Sequence, residues 1–281
     1  MKKTFLLLGI VAMALGNMTS CSNILEEEGT IPASAKTGTL VLALEQDNSV
    51  NVVTKTVTDA GDDYIVKLYS SSATYIDSKK YSEVKDQSYS LPAAENTYIL
   101  EAYNIDPNKI EMCAWDKPAF YGKRENITVT GGQTNKVELT CTRKNSQITI
   151  DKTDLESEEA KKVITITSLN VKNGDNYFPL IGESATGTLG QNILYVKEGI
   201  PAQLELRVTR VDDTSISTSV ITPLNGTTEN VGNTEAAKNY QVTYKLSTEY
   251  GVTTIVIKVD DTITEVKLND VVVNPYQTTE K

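Results

Sequence analysis

Gly38-Thr39-Leu40-Val41-Leu42-Ala43-Leu44 is the stretch that decides the fold. Every second residue from Leu40 to Leu44 is leucine, which puts three apolar side chains on one face of an extended chain. The same period of two returns in Tyr64, Val66 and Leu68, and again in Val137, Leu139 and Cys141, where Lys136, Glu138 and Thr140 take the other face. Further on, Leu204, Leu206 and Val208 oppose Glu205, Arg207 and Thr209. Val242, Tyr244 and Leu246 oppose Gln241, Thr243 and Lys245, and Ile255, Ile257 and Val259 follow. Half-buried strands with one wet face, repeated along the chain, predict an all-β protein of antiparallel sheets. Asp59-Ala60-Gly61-Asp62-Asp63, Thr130-Gly131-Gly132 and Asn225-Gly226 are the turns between them.

One segment reads as helix. Thr153-Asp154-Leu155-Glu156 has the spacing of a capping box, and Glu158, Glu159, Ala160, Lys161 and Lys162 follow with acids first and bases last. It lies where a first set of strands gives way to a second. The expectation is two tandem antiparallel β-sandwiches, residues 38–150 and 151–281, with a short helix near the junction. Each has ordinary sandwich size, roughly 110 to 120 residues.

Ahead of the first strand stand Lys2-Lys3, an apolar run from Phe5 to Leu15, and Met18-Thr19-Ser20-Cys21. The run is too short to cross a hydrocarbon core, which takes about 20 residues. Its flanks are those of a lipoprotein signal peptide, residues 1–20, cleaved to leave Cys21 for lipidation. Residues 21–37, with Glu26-Glu27-Glu28, read as a flexible acidic tether. The expected product is exported, palmitoylated at Cys21 and anchored to the outer membrane at the cell surface.

Composition narrows the chemistry. The 281-residue chain has a formal net charge of -10 and no histidine. The charge argues against a nucleic-acid partner. The missing histidine removes Ser-His-Asp and Cys-His nucleophiles and His-ligated zinc. Paired-carboxylate hydrolysis survives, as does an oxygen-only calcium site. Asp62-Asp63, Asp212-Asp213 and Asp260-Asp261 fall in turns and lack the spacing of a calcium loop. No metal, cofactor or catalytic residue is expected.

Cys113 and Cys141 are a disulfide candidate in an oxidising compartment, with two buried free thiols as the alternative. Trp115, Phe120 and Tyr121 share one Pro- and Gly-containing stretch. They form either a ligand-contact loop able to stack on sugar rings or a crossover that caps a sandwich. Tyrosine outnumbers phenylalanine 14 to 3, which suits half-exposed strands and interfaces.

The order of Cys21, the acidic tether, Gly38 to Leu44, Thr54-Lys55-Thr56, Asp63-Tyr64-Ile65-Val66, Trp115-Asp116-Lys117-Pro118, Ile127-Thr128-Val129-Thr130-Gly131-Gly132 and Val137 to Cys141 resembles the fimbrillin-like lipoproteins of Bacteroides-type bacteria. These are the FimA/Mfa-type subunits of type V pili. The resemblance covers about Gly38 to Ile150. It implies transthyretin-like sandwiches and a role in adhesion or fimbria assembly by donor-strand exchange, with other pilus subunits or a surface ligand as partners. It also implies that a protease removes the first strand. No arginine precedes Arg124, so Lys55 is the candidate processing site, while Lys36 lies upstream of the strand. Gly38 to Glu45 is expected as an edge or near-edge strand with its three leucines buried. A surface glycan-binding lipoprotein using the Trp115 loop is the alternative.

Overall fold

The computed structural model describes residues 37–49, 57–93, 97–182, 184–249, 252–260 and 262–267. The first strands are β1 (Thr37–Asp47), β2 (Val57–Asp59), β3 (Ile65–Ser70), β4 (Tyr75–Lys80), β5 (Tyr89–Pro92) and β6 (Tyr98–Tyr103). They are followed by β7 (Cys113–Trp115), β8 (Phe120–Ile127), β9 (Thr134–Arg143) and β10 (Asn145–Asp151). The later strands are β11 (Ile164–Asn173), β12 (Asn176–Ile181), β13 (Leu194–Lys197), β14 (Gln203–Arg210), β15 (Ser217–Pro223), β16 (Asn239–Glu249), β17 (Val252–Val259) and β18 (Thr262–Lys267). A single helical turn, α1 (Tyr81–Val84), follows β4.

These strands make three sheets. The first runs β2-β1-β9-β8-β6-β3-β4, with β5 also on β1. Leu40, Leu42 and Leu44 come from one end of that order, Val66 and Leu68 from the other, yet all lie in one buried cluster. The sheet must therefore curl over its own inner face. The other sheets, β18-β17-β16-β10-β13-β7 and β12-β11-β14-β15, face one another. Ile148, Val196, Tyr244 and Ile257 of the first and Leu169, Val171, Leu206 and Val220 of the second fill their shared core. The fold is all-β, as the alternation predicts.

Three details differ from the sequence expectation. Most pairings are antiparallel, but β1 runs parallel to β9 and β10 parallel to β16. Each core thus opens with a strand laid parallel to a late strand of the same unit. Strand β7, deep in the first half of the sequence, pairs with β13 and puts Cys113 into the second core. Strand β10 also belongs to the second core, so a division at 150/151 does not follow the packing.

The third difference is the helix at 153–162. Two 3-10 turns, Thr153–Glu156 and Ala160–Lys162, stand in its place. Ser157 between them is extended, with ψ 155°, which ends the first turn after one cycle. The Asp154 carboxylate accepts the backbone N–H of Leu246 at 2.6 Å, so it holds strand β16 rather than a helix end.

The predicted turns are where the sequence puts them. Gly226 has φ +79°, and a Cβ there would lie 2.3 Å from the Asn230 carbonyl oxygen. Gly132 closes the β8–β9 turn at φ +69°. Among the described residues no helix is long and apolar enough to cross a membrane.

Leu42 is 3% exposed in the middle of β1. Leu42→Ala should destabilise the chain by about 2–5 kcal/mol, the usual cost of lost transfer energy plus a cavity. Denaturant unfolding of both chains at equal m-value measures it.

Candidate functional site

Strand β1 is the element on which an assembly role would turn. Its leucines are buried, Leu40 at 0% and Leu44 at 1% exposure. It is not an edge. On one flank it is registered with β9 from Thr39 opposite Thr134 to Asp47 opposite Thr142. On the other, β5 covers Thr37 to Leu40 and β2 covers Glu45 to Asp47. The span between is bridged by single groups. Leu44 donates its N–H to the Tyr81 hydroxyl at 3.1 Å, and the Ala60 N–H donates to the Leu44 carbonyl at 3.2 Å. Tyr64 donates from its hydroxyl to Gln46 Oε1 at 2.8 Å, and burial raises its phenol pKa.

The start of β1 is fixed by close approach. A Cβ on Gly38 would meet the Thr130 carbonyl oxygen at 2.3 Å and Val129 Cγ1 at 2.6 Å, so only glycine lets the strand lie against the β8–β9 turn. The Thr39 N–H donates to the Gln133 carbonyl, and Asn135 Nδ2 to the Thr39 carbonyl, at 2.8 and 3.2 Å. Cys21, Lys36 and Lys55 lie outside the described residues.

The aromatic stretch does not form one surface. Phe120 is buried in the first core. Tyr121, next along β8, faces the other side, with the Lys144 ammonium 5.9 Å from its ring centroid. Trp115 packs against the second core, 6.2 Å from the Phe178 ring. A Cβ on Gly187 would fall 2.5 Å from the indole, so the 184–192 loop lies directly over it. The three side chains therefore lie on different faces: Phe120 in the first core, Trp115 against the second, and Tyr121 half-buried on the other side of β8.

Asp116, beside the tryptophan, has φ +53° and pins that loop. Its carboxylate accepts the Ile193 N–H at 2.7 Å and Asn192 Nδ2 at 2.6 Å. These two bonds hold its pKa below the usual carboxylate range, the backbone bond most. A depressed pKa stabilises the fold above the unfolded value, near 3.9, and that contribution is lost as pH falls through the folded value.

The cysteines are both free and buried. Cys141 lies in the first core, its thiol donating to the Ala102 carbonyl at 3.7 Å, and Cys113 lies in the second. The disulfide expectation fails because β7 carries Cys113 out of the sheet that holds Cys141. Burial pushes the Cys141 thiol up to about 12 and raises Cys113 as well. Among the described residues no three of Cys, Asp and Glu gather as a metal site.

A polar junction went unread in the sequence. Arg143 is 5% exposed, Asn145 3% and Ser146 0%. Arg143 Nε donates to the Asn145 carbonyl at 3.1 Å, and its guanidinium lies 5.7 Å from the Tyr195 ring centroid. Asn145 accepts the Ala119 N–H at 3.1 Å and donates to the Lys117 carbonyl at 2.9 Å. The only sequence signal for it was an Arg-Lys-Asn-Ser run between two alternating strands.

Geometry thus defines an all-β protein of two buried cores, with a deeply inserted first strand and a tight polar link. Residues 36–275 match a domain of unknown function, DUF4493, and the chain belongs to that family. No curated protein matches it. Among solved structures it is similar to a fimbrial assembly protein from Parabacteroides distasonis, at 9% identity and TM-score 0.41, over 82% of this chain and 99% of that one. A candidate polysaccharide-binding protein (DUF1812) from Bacteroides thetaiotaomicron matches at 10% identity and TM-score 0.43, covering 82% and 98%. A candidate cell adhesion protein from Bacteroides eggerthii matches at 11% and 0.44, covering 85% and 98%.

Two measurements check the site. With Cys21 replaced by serine, Ellman's reagent should find no reactive thiol in the native chain and two after unfolding; a native disulfide would leave none in either state. The Ile193 amide should exchange faster, after correction for intrinsic rates, as pH drops below about 4. In Asp116→Ala it should be fast at every pH; unchanged exchange would show that the carboxylate does not hold the loop.

Proposed function

We propose that this chain is a non-catalytic surface protein of cell adhesion or pilus assembly, held at the outer membrane through lipid on Cys21. Its two cores are read as two sandwich units, with β7 lent by the first to the second. The partners are other fimbrial subunits or a ligand on a host or bacterial surface.

The setting of β1 carries the reading. An edge strand, once lost, leaves one open row of backbone groups. A strand flanked on both sides leaves a slot with two open rows and an apolar floor where Leu40, Leu42 and Leu44 had been. A strand from another molecule would satisfy both rows and refill the floor, so exchange is near-neutral in backbone bonds and decided by packing. The flank made of short β5 and β2 is the weaker one. Lys55, in the stretch between β1 and β2, is the proposed cleavage point.

Limited trypsin digestion followed by sizing tests this. Cleavage after Lys55 should release the N-terminal segment and give higher oligomers, and Lys55→Ala should suppress both. A digest that loses the segment and stays monomeric beside a second subunit would refute strand exchange and leave an anchored adhesin.

A further inference from the structure

The outer face of the β12-β11-β14-β15 sheet holds an oddity. Alternation along β14 turns Leu204, Leu206 and Val208 into the core and Glu205 and Arg207 away from it. An outward glutamate should be wet, yet Glu205 is 4% exposed. One carboxylate oxygen is satisfied: Oε1 accepts from Ser219 Oγ at 2.9 Å and from Arg207 Nη2 at 3.1 Å. The other, Oε2, is buried and has no hydrogen-bond partner. Buried carboxylate oxygens are normally bonded, and one that is not calls for a reason.

Its neighbours supply one. Asn170 on β11 stands opposite Glu205, and Lys172 two residues on stands opposite Tyr177 of β12. Arg207 pairs with Ser219 of β15. The group therefore crosses all four strands, about 14 Å at the usual strand spacing. Tyr177 is 48% exposed, with the Lys172 ammonium 5.2 Å from its ring centroid. The Arg207 side chain, bonded to Oε1, is itself 51% exposed.

The chemistry selects the ligand. Lys172 and Arg207 beside Glu205 repel a metal ion. Glu205 at the centre disfavours phosphate or carboxylate. A protein interface would want an apolar, charge-poor centre, and the centre here is ionic. What remains is a neutral ligand that donates and accepts at adjacent positions and offers a C–H face to an aromatic ring: a chain of sugars.

We propose that Glu205, Arg207, Lys172, Asn170, Ser219 and Tyr177 form a binding face for neutral glycans, in which a bound sugar displaces the side chains covering Glu205 Oε2 and donates a hydroxyl to it. This face is separate from the Trp115 stretch and does not depend on strand exchange. It would give the adhesion reading a ligand class.

The test is a glycan array of neutral and anionic oligosaccharides, together with affinity electrophoresis in dextran, galactomannan and heparin, using the full-length chain in detergent. Binding to neutral glycans is expected. It should weaken at least tenfold in Glu205→Gln and in the exposed Tyr177→Ala, with melting temperature checked for each. Should Glu205→Gln unfold, Tyr177→Ala and Lys172→Ala carry the comparison. Neutral binding that survives these variants, binding to heparin and anionic glycans alone, or no binding by the folded chain would each overturn the proposal. The digestion experiment above is unaffected by any of these results.

Discussion

Everything in this molecule hangs on a link one residue long. Strand β9 ends at Arg143 and β10 begins at Asn145, with Lys144 alone between them. The chain leaves one buried core and enters another in that step, so backbone groups that a longer loop would show to water are enclosed. The side chains on either side answer for them. Asn145 serves the Ala119 N–H and the Lys117 carbonyl, Arg143 the Asn145 carbonyl, and Ser146 the carbonyl of Glu235. Arg143 has no carboxylate partner among the described residues, and burial lowers its pKa while the guanidinium stays charged at any ordinary pH. Its charge is spread over carbonyl oxygens and the Tyr195 ring instead.

That link explains why β7 crosses over. The segment after β6 returns past the junction, where its Lys117 and Ala119 backbone groups meet Asn145. Just before them, Cys113 to Trp115 lie along β13. The first half of the chain thus grips the second through a three-residue strand, a tryptophan under Gly187 and an aspartate that holds the loop above it. A linkage bonded at so many points favours two units that move together.

Much of this was legible. Leu40 to Leu44, Val137 to Cys141 and Leu204 to Val208 alternate, and all became strands with the expected faces inward. What alternation cannot carry is pairing. Cys113-Ala114-Trp115 is too short to show a period, so neither its partner β13 nor the separation of the cysteines could be read. The segment Thr153 to Lys162 shows the reverse error. Its residue types suit a helix, but Asp154 is drawn to a strand N–H and Ser157 extends, and tertiary bonding outweighed a weak local preference. The junction was silent because Arg, Asn and Ser between strands ordinarily mean a wet turn.

Glu205 sharpens the lesson for function. On sequence it is one polar residue among Glu205, Arg207 and Thr209 on a wet face, and its position on that face was correct. Only the structure shows that the face is closed over one of its oxygens. The period of two tells which way a side chain points and nothing about what lies across it on the next strand. Sites built across strands, as both proposed ones would be, depend on register, and register is set by contacts dozens of residues apart: Asn170 with Glu205, Leu42 with Val137. In a protein whose candidate functions all sit on sheet surfaces, the fold can be read from one strand at a time, while function needs pairs.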